Sequence, residues 1–415
     1  MRKDVPRILV IGAGVSGLLG CILLRRLGYD VIVTKNLSRA YDALEAVPDS
    51  IQKVLTAIGE PDVLSNVDAR ATIGFGDQRH YVLDRSRLAE YFEMRAIQVG
   101  AAVMEAASRL NIRIEGSRAV VEKDGAVQSF DMLIDASGRA ARWSRPITRF
   151  QEQVADLYLG PSGGKQQTKY HKMESGWCYL LDNGCSALIG VIGHRRPINK
   201  TLPGAIANLL GVDSGDVTFS VRRPASAQWA TSPVNAQRIS IGDAAVAHEP
   251  LVGQGIRFAL TSALAASISA RTIFERPKNA SLARSYYHHL VRDERDRHIG
   301  YLQNNSQDLL NKGANKPSFN LCLPHDVLRF NGKLIQHPII VDGFVNMGEA
   351  LKLPDAKIVR WIGGIDVLLL RDSLKDPKAL GPLKRLLVNR GLQESAAAAL
   401  ISWGLTNQVL QVYHA

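Results

Sequence analysis

The chain has 415 residues, 46% of them hydrophobic and 22% charged, which suffices for a core of two or three domains and excludes a disordered chain. Its formal net charge of +12 favours an acidic partner unless the basic side chains are simply solvated; no nucleic-acid motif accompanies them and aromatic residues are only 6%, so nucleic acid is not expected. Four cysteines without a CxxC spacing argue against a metal centre of the zinc type and against a disulfide framework, which fits a cytoplasmic location.

After a short basic start that does not read as a signal peptide, Arg7–Ile11 reads as a buried parallel strand. A glycine-rich turn follows, then a helix through Leu27, a C-capping Gly28, and a second strand over Tyr29–Thr34. Arg85–Ala107 is predicted as one helix. Asn111–Ile114, Ala119–Glu122, Ala126–Phe130 and Asp131–Ala136 are predicted strands. Pro161–Gly164 is a loop, after which strands Trp177–Leu181 and Ala187–Ile192 flank Asn183-Gly184, a hairpin signal. Arg238–Ile241 is a strand and Ile256–Phe274 a long helix. Residues 278–312 are predicted helical and charged, and the remainder mainly helical, with a basic amphipathic segment at Lys384–Arg390. No run reaches the ~18 apolar residues that a transmembrane helix needs.

The turn after the first strand is Gly12-Ala13-Gly14-Val15-Ser16-Gly17, a GxGxxG placed between strand and helix. The first glycine permits the tight turn, the second lets a pyrophosphate reach the backbone, and the third lets helix and strand pack closely. The helix N-terminus adds free N–H groups and a positive partial charge, so the unit is expected to bind a dinucleotide. The second strand should end in an acid that accepts ribose hydroxyls, but Lys35 stands there. A lysine cannot accept such bonds, although it can reach a phosphate. Weak cofactor retention is therefore expected, and Lys35→Glu is expected to tighten binding.

A second motif, Ile241-Gly242-Asp243 followed by His248-Glu249-Pro250-Leu251-Val252-Gly253-Gln254-Gly255, leads into the long helix. It resembles the second FAD fingerprint of the class A flavoprotein monooxygenases and the related flavin-dependent halogenases. The resemblance implies FAD, with Asp243 on a ribityl hydroxyl and Pro250, Gly253, Gln254 and Gly255 against the flavin ring. Asp84-Arg85-Ser86-Arg87-Leu88 is similar to the Arg-x-x-Leu helix start of that family, which gives Arg85 a cofactor contact, unless Arg85 makes only a surface ion pair. The implied fold class is α/β: a Rossmann-type, glutathione-reductase-like FAD-binding domain (residues 1–150 and 225–280), an inserted β-rich substrate domain (151–224), and a mainly helical C-terminal region (281–415).

Departures from the family narrow the reading. Ala136-Ser137-Gly138-Arg139 replaces the Ala-Asp-Gly of nicotinamide-using hydroxylases, which points to a separate flavin reductase or a nicotinamide bound differently. The halogenase Trp-x-Trp-x-Ile-Pro signature is reduced to Trp177, and Ala71-Thr72-Ile73 is followed by Gly74 where halogenases place a catalytic lysine. Pro48–Leu55, Val82–Leu88 and Ile134–Arg139 are similar to flavoproteins that mature tryptophylquinone cofactors, of the quinohemoprotein amine dehydrogenase type. That resemblance implies hydroxylation of a tryptophan in a partner polypeptide, with the basic charge suiting an acidic partner. His248 and Glu249 are the candidate proton donor and base, His248 being equally readable as structural. Trp177 and Tyr179 are candidate substrate-pocket residues, although a tryptophan so placed is more often plain core. A small-molecule aromatic hydroxylase or reductase, and a non-catalytic assembly factor, remain the alternatives.

Overall fold

The computed structural model describes residues 5–35, 44–73, 79–105, 111–115, 118–123, 126–174, 176–194, 199–250, 253–308, 326–362 and 364–413. Residues 1–307 form one unit and residues 308–415 a second.

The first unit opens with β1 (Arg7–Ile11), α1 (Val15–Arg26) and β2 (Asp30–Lys35), the predicted βαβ. Then come β3 (Leu44–Pro48), α2 (Ile51–Ala57), α3 (Val63–Asn66), β4 (Arg70–Ile73) and β5 (Arg79–Asp84), whose strands pair antiparallel in the order β3-β5-β4. α4 (Arg85–Gln98) starts where the Asp84 carboxylate accepts the N–H of Ser86 at 2.7 Å, satisfying one of the free donors of a helix start. The helix expected to reach Ala107 stops at Gln98. Gly100 turns the chain at φ +82°, and β6 (Ala102–Glu105) pairs with the edge of β2. The helix-forming tendency of Ala101–Glu105 loses to that pairing.

β7 (Asn111–Glu115), β8 (Arg118–Lys123) and β9 (Ala126–Phe130) form the predicted meander, and β10 (Met132–Asp135) returns beside β1. β11 (Ile147–Phe150) leads to β12 (Gln153–Pro161), β13 (Gln167–Met173), β14 (Gly176–Asp182) and β15 (Ser186–His194). α5 (Gly204–Leu210) and β16 (Thr218–Pro224) complete this sheet, ordered β13-β14-β15-β12-β16, with β14 and β15 joined through Asn183-Gly184 as predicted. β17 (Ala227–Ala230), β18 (Arg238–Ser240), β19 (Val246–Ala247), α6 (Gly255–Glu275) and α7 (Ala280–Asp308) follow.

The organising layer is the parallel sheet β18-β10-β1-β2-β6. Ile8 and Val10 of β1, Val31 and Val33 of β2, and Leu18 and Ile22 of α1 share one buried cluster with Leu88 and Phe92 of α4. Period-2 alternation turns these strand residues toward the helices. α7 belongs to this unit, since Tyr287 and Val291 are buried in the same cluster.

The second unit holds β20 (Val327–Phe330), β21 (Lys333–Val341), β22 (Phe344–Lys352), β23 (Ile358–Val359), β24 (Trp361–Ile362), β25 (Ile365–Asp366), α8 (Leu368–Ser373), β26 (Lys378–Ala379), α9 (Leu380–Asn389), α10 (Glu394–Thr406) and β27 (Leu410–Tyr413). The expected helices are present, joined by strand pairs that the sequence did not suggest, the longest being the β21–β22 hairpin. The basic segment at Lys384–Arg390 lies largely in α9, which buries Leu383 and Leu387 and ion-pairs Lys384 with Glu394 at 2.7 Å. No helix among the described residues is long and apolar enough to cross a membrane. Cys21, Cys178 and Cys185 are free thiols, and Cys322 lies outside the described residues.

Candidate functional site

The glycine turn separates into two kinds of position. Gly12 adopts φ +107°, and a Cβ there would lie 2.4 Å from the Ala136 carbonyl oxygen; a Cβ on Gly17 would lie 1.9 Å from the Gly12 carbonyl oxygen. Both glycines are required by the close approach of α1 to β1 and β10. Gly14 is different. Its φ is −83°, open to any residue, and an added Cβ would meet no protein atom within 4 Å. Nothing in the protein demands a glycine there, whereas a ligand lying against the backbone does.

Gly14, Val15 and Ser16 line a cavity of about 480 Å³ within the first unit. Arg85, Asp243, Pro250, Gly253 and Gly255 line it too, so both glycine motifs and the arginine at the start of α4 converge on one space. Gln254 is the N-cap of α6, and a Cβ on Gly255 would again meet nothing within 4 Å. Leu251 and Val252 lie outside the described residues. The N-termini of α1 and α6 thus both open toward this cavity, where their free N–H groups favour negative charge. The residues fit FAD: an unobstructed turn for a diphosphate, a carboxylate for ribityl hydroxyls, and a helix start for the ring.

Arg139, unassigned by sequence, joins these parts. It donates to the Ser226 carbonyl at 2.6 Å and to the His248 carbonyl, and its Nε lies 3.7 Å from the Asp243 carboxylate. Ser137 accepts the Arg142 N–H at 3.0 Å and shapes the turn that presents Arg139.

His248 and Glu249 line the cavity beside the α6 turn, and both are buried. Their surroundings come from α7. His248 Nε2 meets Glu294 Oε1 at 2.8 Å, and the His298 ring stands edge-on 4.8 Å from the His248 ring. His298 Nε2 accepts the Glu249 backbone N–H at 3.2 Å. Burial would raise Glu294, but the hydrogen bond from His248 and the charges of Arg297 and Arg257 outweigh it and hold the carboxyl at about 2. Burial, helped by His248, pushes His298 down to about 3, so it is a neutral acceptor at pH 7. Burial pushes Glu249 up to about 7 against the opposing pull of Arg139, and its Oε1 has no hydrogen-bond partner among the described residues. Glu249 is thus a carboxyl able to hold or release a proton near neutrality at the cavity wall. The sequence did offer a signal for the α7 pair. Tyr287, Val291, Glu294 and His298 follow one another at spacings of four, three and four, so one buried stripe carries both titratable groups.

The cavity also meets the β12–β16 sheet at Tyr170, Tyr179, Leu181 and Leu188. Tyr179 faces Gly190 across β14 and β15, and a Cβ on Gly190 would lie 2.1 Å from the tyrosine ring, so the glycine makes the room that the ring occupies. Tyr170 stands opposite on β13, ring centroids 6.2 Å apart. Burial pushes the Tyr170 phenol up to about 12 and raises Tyr179 as well, so both stay neutral hydroxyls. Trp177 is not among the residues lining the cavity; it packs partly buried against the same apolar cluster as Tyr179, Leu181 and Leu188, 5.9 Å beneath the Lys172 ammonium. Arg85 pairs with Glu45 at 3.1 Å, both at the cavity wall.

The Lys35 ammonium lies 2.7 Å from each oxygen of Glu93 on α4. A carboxylate already stands at the end of β2, and Lys35→Glu would set a second beside it.

No family model matches the chain. LodB of Marinomonas mediterranea, described as an FAD-dependent oxidoreductase, is 26% identical over 250 residues, or 53% of this chain. The match spans 65% of the length of LodB. Among solved structures, the peptidyl tryptophan dihydroxylase QhpG, essential for tryptophylquinone cofactor biogenesis, aligns over 97% of this chain and 99% of its own with a TM-score of 0.67 and 22% identity. The flavin-dependent halogenase CmlS aligns over 100% and 97% with a TM-score of 0.70 and 14% identity. The fold is that of flavin-dependent hydroxylases and halogenases.

Proposed function

We propose that the protein is an FAD-dependent monooxygenase that hydroxylates an aromatic ring, and that the ring is a tryptophan side chain of a partner polypeptide. The observation that carries this reading is a single cavity running from the Gly14–Ser16 turn and the start of α6 to the face formed by Tyr170, Tyr179, Leu181 and Leu188. Bound FAD, once reduced, would activate molecular oxygen so that one of its atoms passes to an electron-rich ring and the other leaves as water.

The chain's own residues do the rest. The α1 start and Gly14 hold the diphosphate, Asp243 accepts from the ribityl chain, and Arg139 fixes Asp243 in place. The α6 start stabilises negative charge at the ring edge. Tyr170, Tyr179 and the two leucines exclude water and orient the substrate ring. Glu249, with its carboxyl poised at about 7, can hold or release a proton at the cavity wall. His248, with Nε2 committed to Glu294, holds the carbonyl side of that turn against Arg139.

The polypeptide substrate rests on the end-to-end likeness to QhpG and on the net charge of +12, which suits an acidic partner. Ser137, in place of the nicotinamide aspartate, supports a separate flavin reductase. The test is a pull-down from native cell extract followed by mass spectrometry of the partner. Its tryptophan gains oxygen mass only when FAD, a reductant and oxygen are all supplied. Turnover of free small aromatics, with no mass gain on any polypeptide, would replace the substrate; a colourless protein that merely binds a partner would replace the activity.

A further inference from the structure

We propose that Glu93, on α4, is the carboxylate that accepts the adenosine ribose hydroxyls of FAD, and that Lys35 positions it. The inference rests on the FAD reading and adds a binding residue to it. In a dinucleotide-binding βαβ, the ribose lies beyond the end of the second strand, where the last residue normally supplies an acid. Register places Lys35 there. Ile11 pairs with Thr34, and the Gly12 N–H donates to the Thr34 carbonyl at 3.2 Å and to its hydroxyl at 3.1 Å, so Lys35 is level with the start of the glycine turn.

Alternation settles the face. Val31 and Val33 point into the cluster shared with α1 and α4, so Lys35, two residues on, projects to the same side. A side chain from this position is the one that would reach the ribose. Here it ends at Glu93, with the ammonium 2.7 Å from both carboxylate oxygens. Each carboxylate oxygen has a second acceptor site beyond the one that faces Lys35.

The pairing answers an electrostatic problem. An uncompensated carboxylate near the diphosphate is repelled by it, and attraction to a fixed cation offsets that repulsion while leaving the acceptors in place. The carboxylate has in effect moved from the strand to the neighbouring helix, and the lysine bridges the gap. Glu93 remains partly exposed, with a side-chain exposure of 24%, so it is open to a ligand and tolerant of replacement.

The test compares FAD with its 2′-deoxyadenosine analogue on the full chain, by quenching of flavin fluorescence and without reference to turnover. Wild type should bind FAD about tenfold or more tightly than the analogue, the scale of a hydrogen bond to a charged group. Glu93→Ala should weaken FAD by a similar factor and abolish the preference between the two flavins, while FMN affinity stays unchanged. Glu90→Ala, an exposed glutamate one turn earlier on α4, should change neither. Lys35→Glu should weaken FAD, because two like charges then meet. A Glu93→Ala variant that folds, by circular dichroism, and keeps the wild-type preference would overturn the assignment. Absence of FAD binding in wild type would instead overturn the cofactor reading on which it rests.

Discussion

Glu249→Gln should make the protein more stable while making the enzyme worse. Glu249 is 6% exposed, and burial pushes its carboxyl from 4.5 up to about 7, with Arg139 drawing it part of the way back. A raised acid pKa means that the folded chain holds the proton more tightly than the unfolded chain does. Below pH 4.5 both states are protonated and the group costs nothing. Between about 4.5 and 7 the unfolded chain ionises first, so stability falls as pH rises; above about 7 the loss is complete. That interval corresponds to about 3 kcal/mol. Glutamine keeps the shape and never ionises. The variant should therefore match wild type near pH 4.5 and exceed it by about 3 kcal/mol at pH 8. For a unit of residues 1–307, with an unfolding entropy of roughly 2.1 cal/mol/K per residue, this is a rise in Tm of about 5 °C.

The assay is thermal unfolding of FAD-free protein from pH 4.5 to 9, since bound ligand would add its own stabilisation. The low values of His298 and Glu294 destabilise both proteins as pH falls, below about 6.5 and 4.5 respectively, so they cancel in the difference. In turnover, the variant should lose kcat and the pH limb near 7. A Tm difference that does not grow with pH, or that has the opposite sign, would refute a buried carboxyl that is neutral at pH 7.

The glycine turn predicts two distinct failures. Gly14→Val should fold normally and lose FAD, because its side chain enters space free of protein atoms, whereas Gly12→Ala should lose stability by about 1–3 kcal/mol through left-handed strain and the Ala136 contact; melting curves beside flavin content separate the two. Asp156 is fully buried and binds Arg222 through bonds of 2.6 and 2.8 Å, so Asp156→Asn should cost about 3 kcal/mol in denaturant unfolding. Because Arg222 lines the cavity, the same variant should also raise the KM for the aromatic substrate.

What the sequence by itself determined was local and periodic. The β1–α1–β2 unit, the Asn183-Gly184 hairpin and the α6 start were legible because each is specified by residues close together in the chain: a glycine where a Cβ would clash, a strand period on either side of a turn pair, a glycine-rich turn before an apolar helical run. What only the tertiary structure decided was which distant side chains meet. β6 exists because β2 offers it an edge, although its own residues favour helix. Lys35 looked like a missing acid until α4 brought Glu93 to it. Glu249 gained its poise from burial beneath α7, and Arg139 its role from carbonyls more than eighty residues further along. Trp177 was read as a pocket residue; it shares a face of β14 with Tyr179, two residues further on, and packs in the same apolar cluster, but it is not among the residues that line the cavity. Periodicity reports which way a residue faces within its own element; long-range packing sets what it faces, and desolvation there sets its charge.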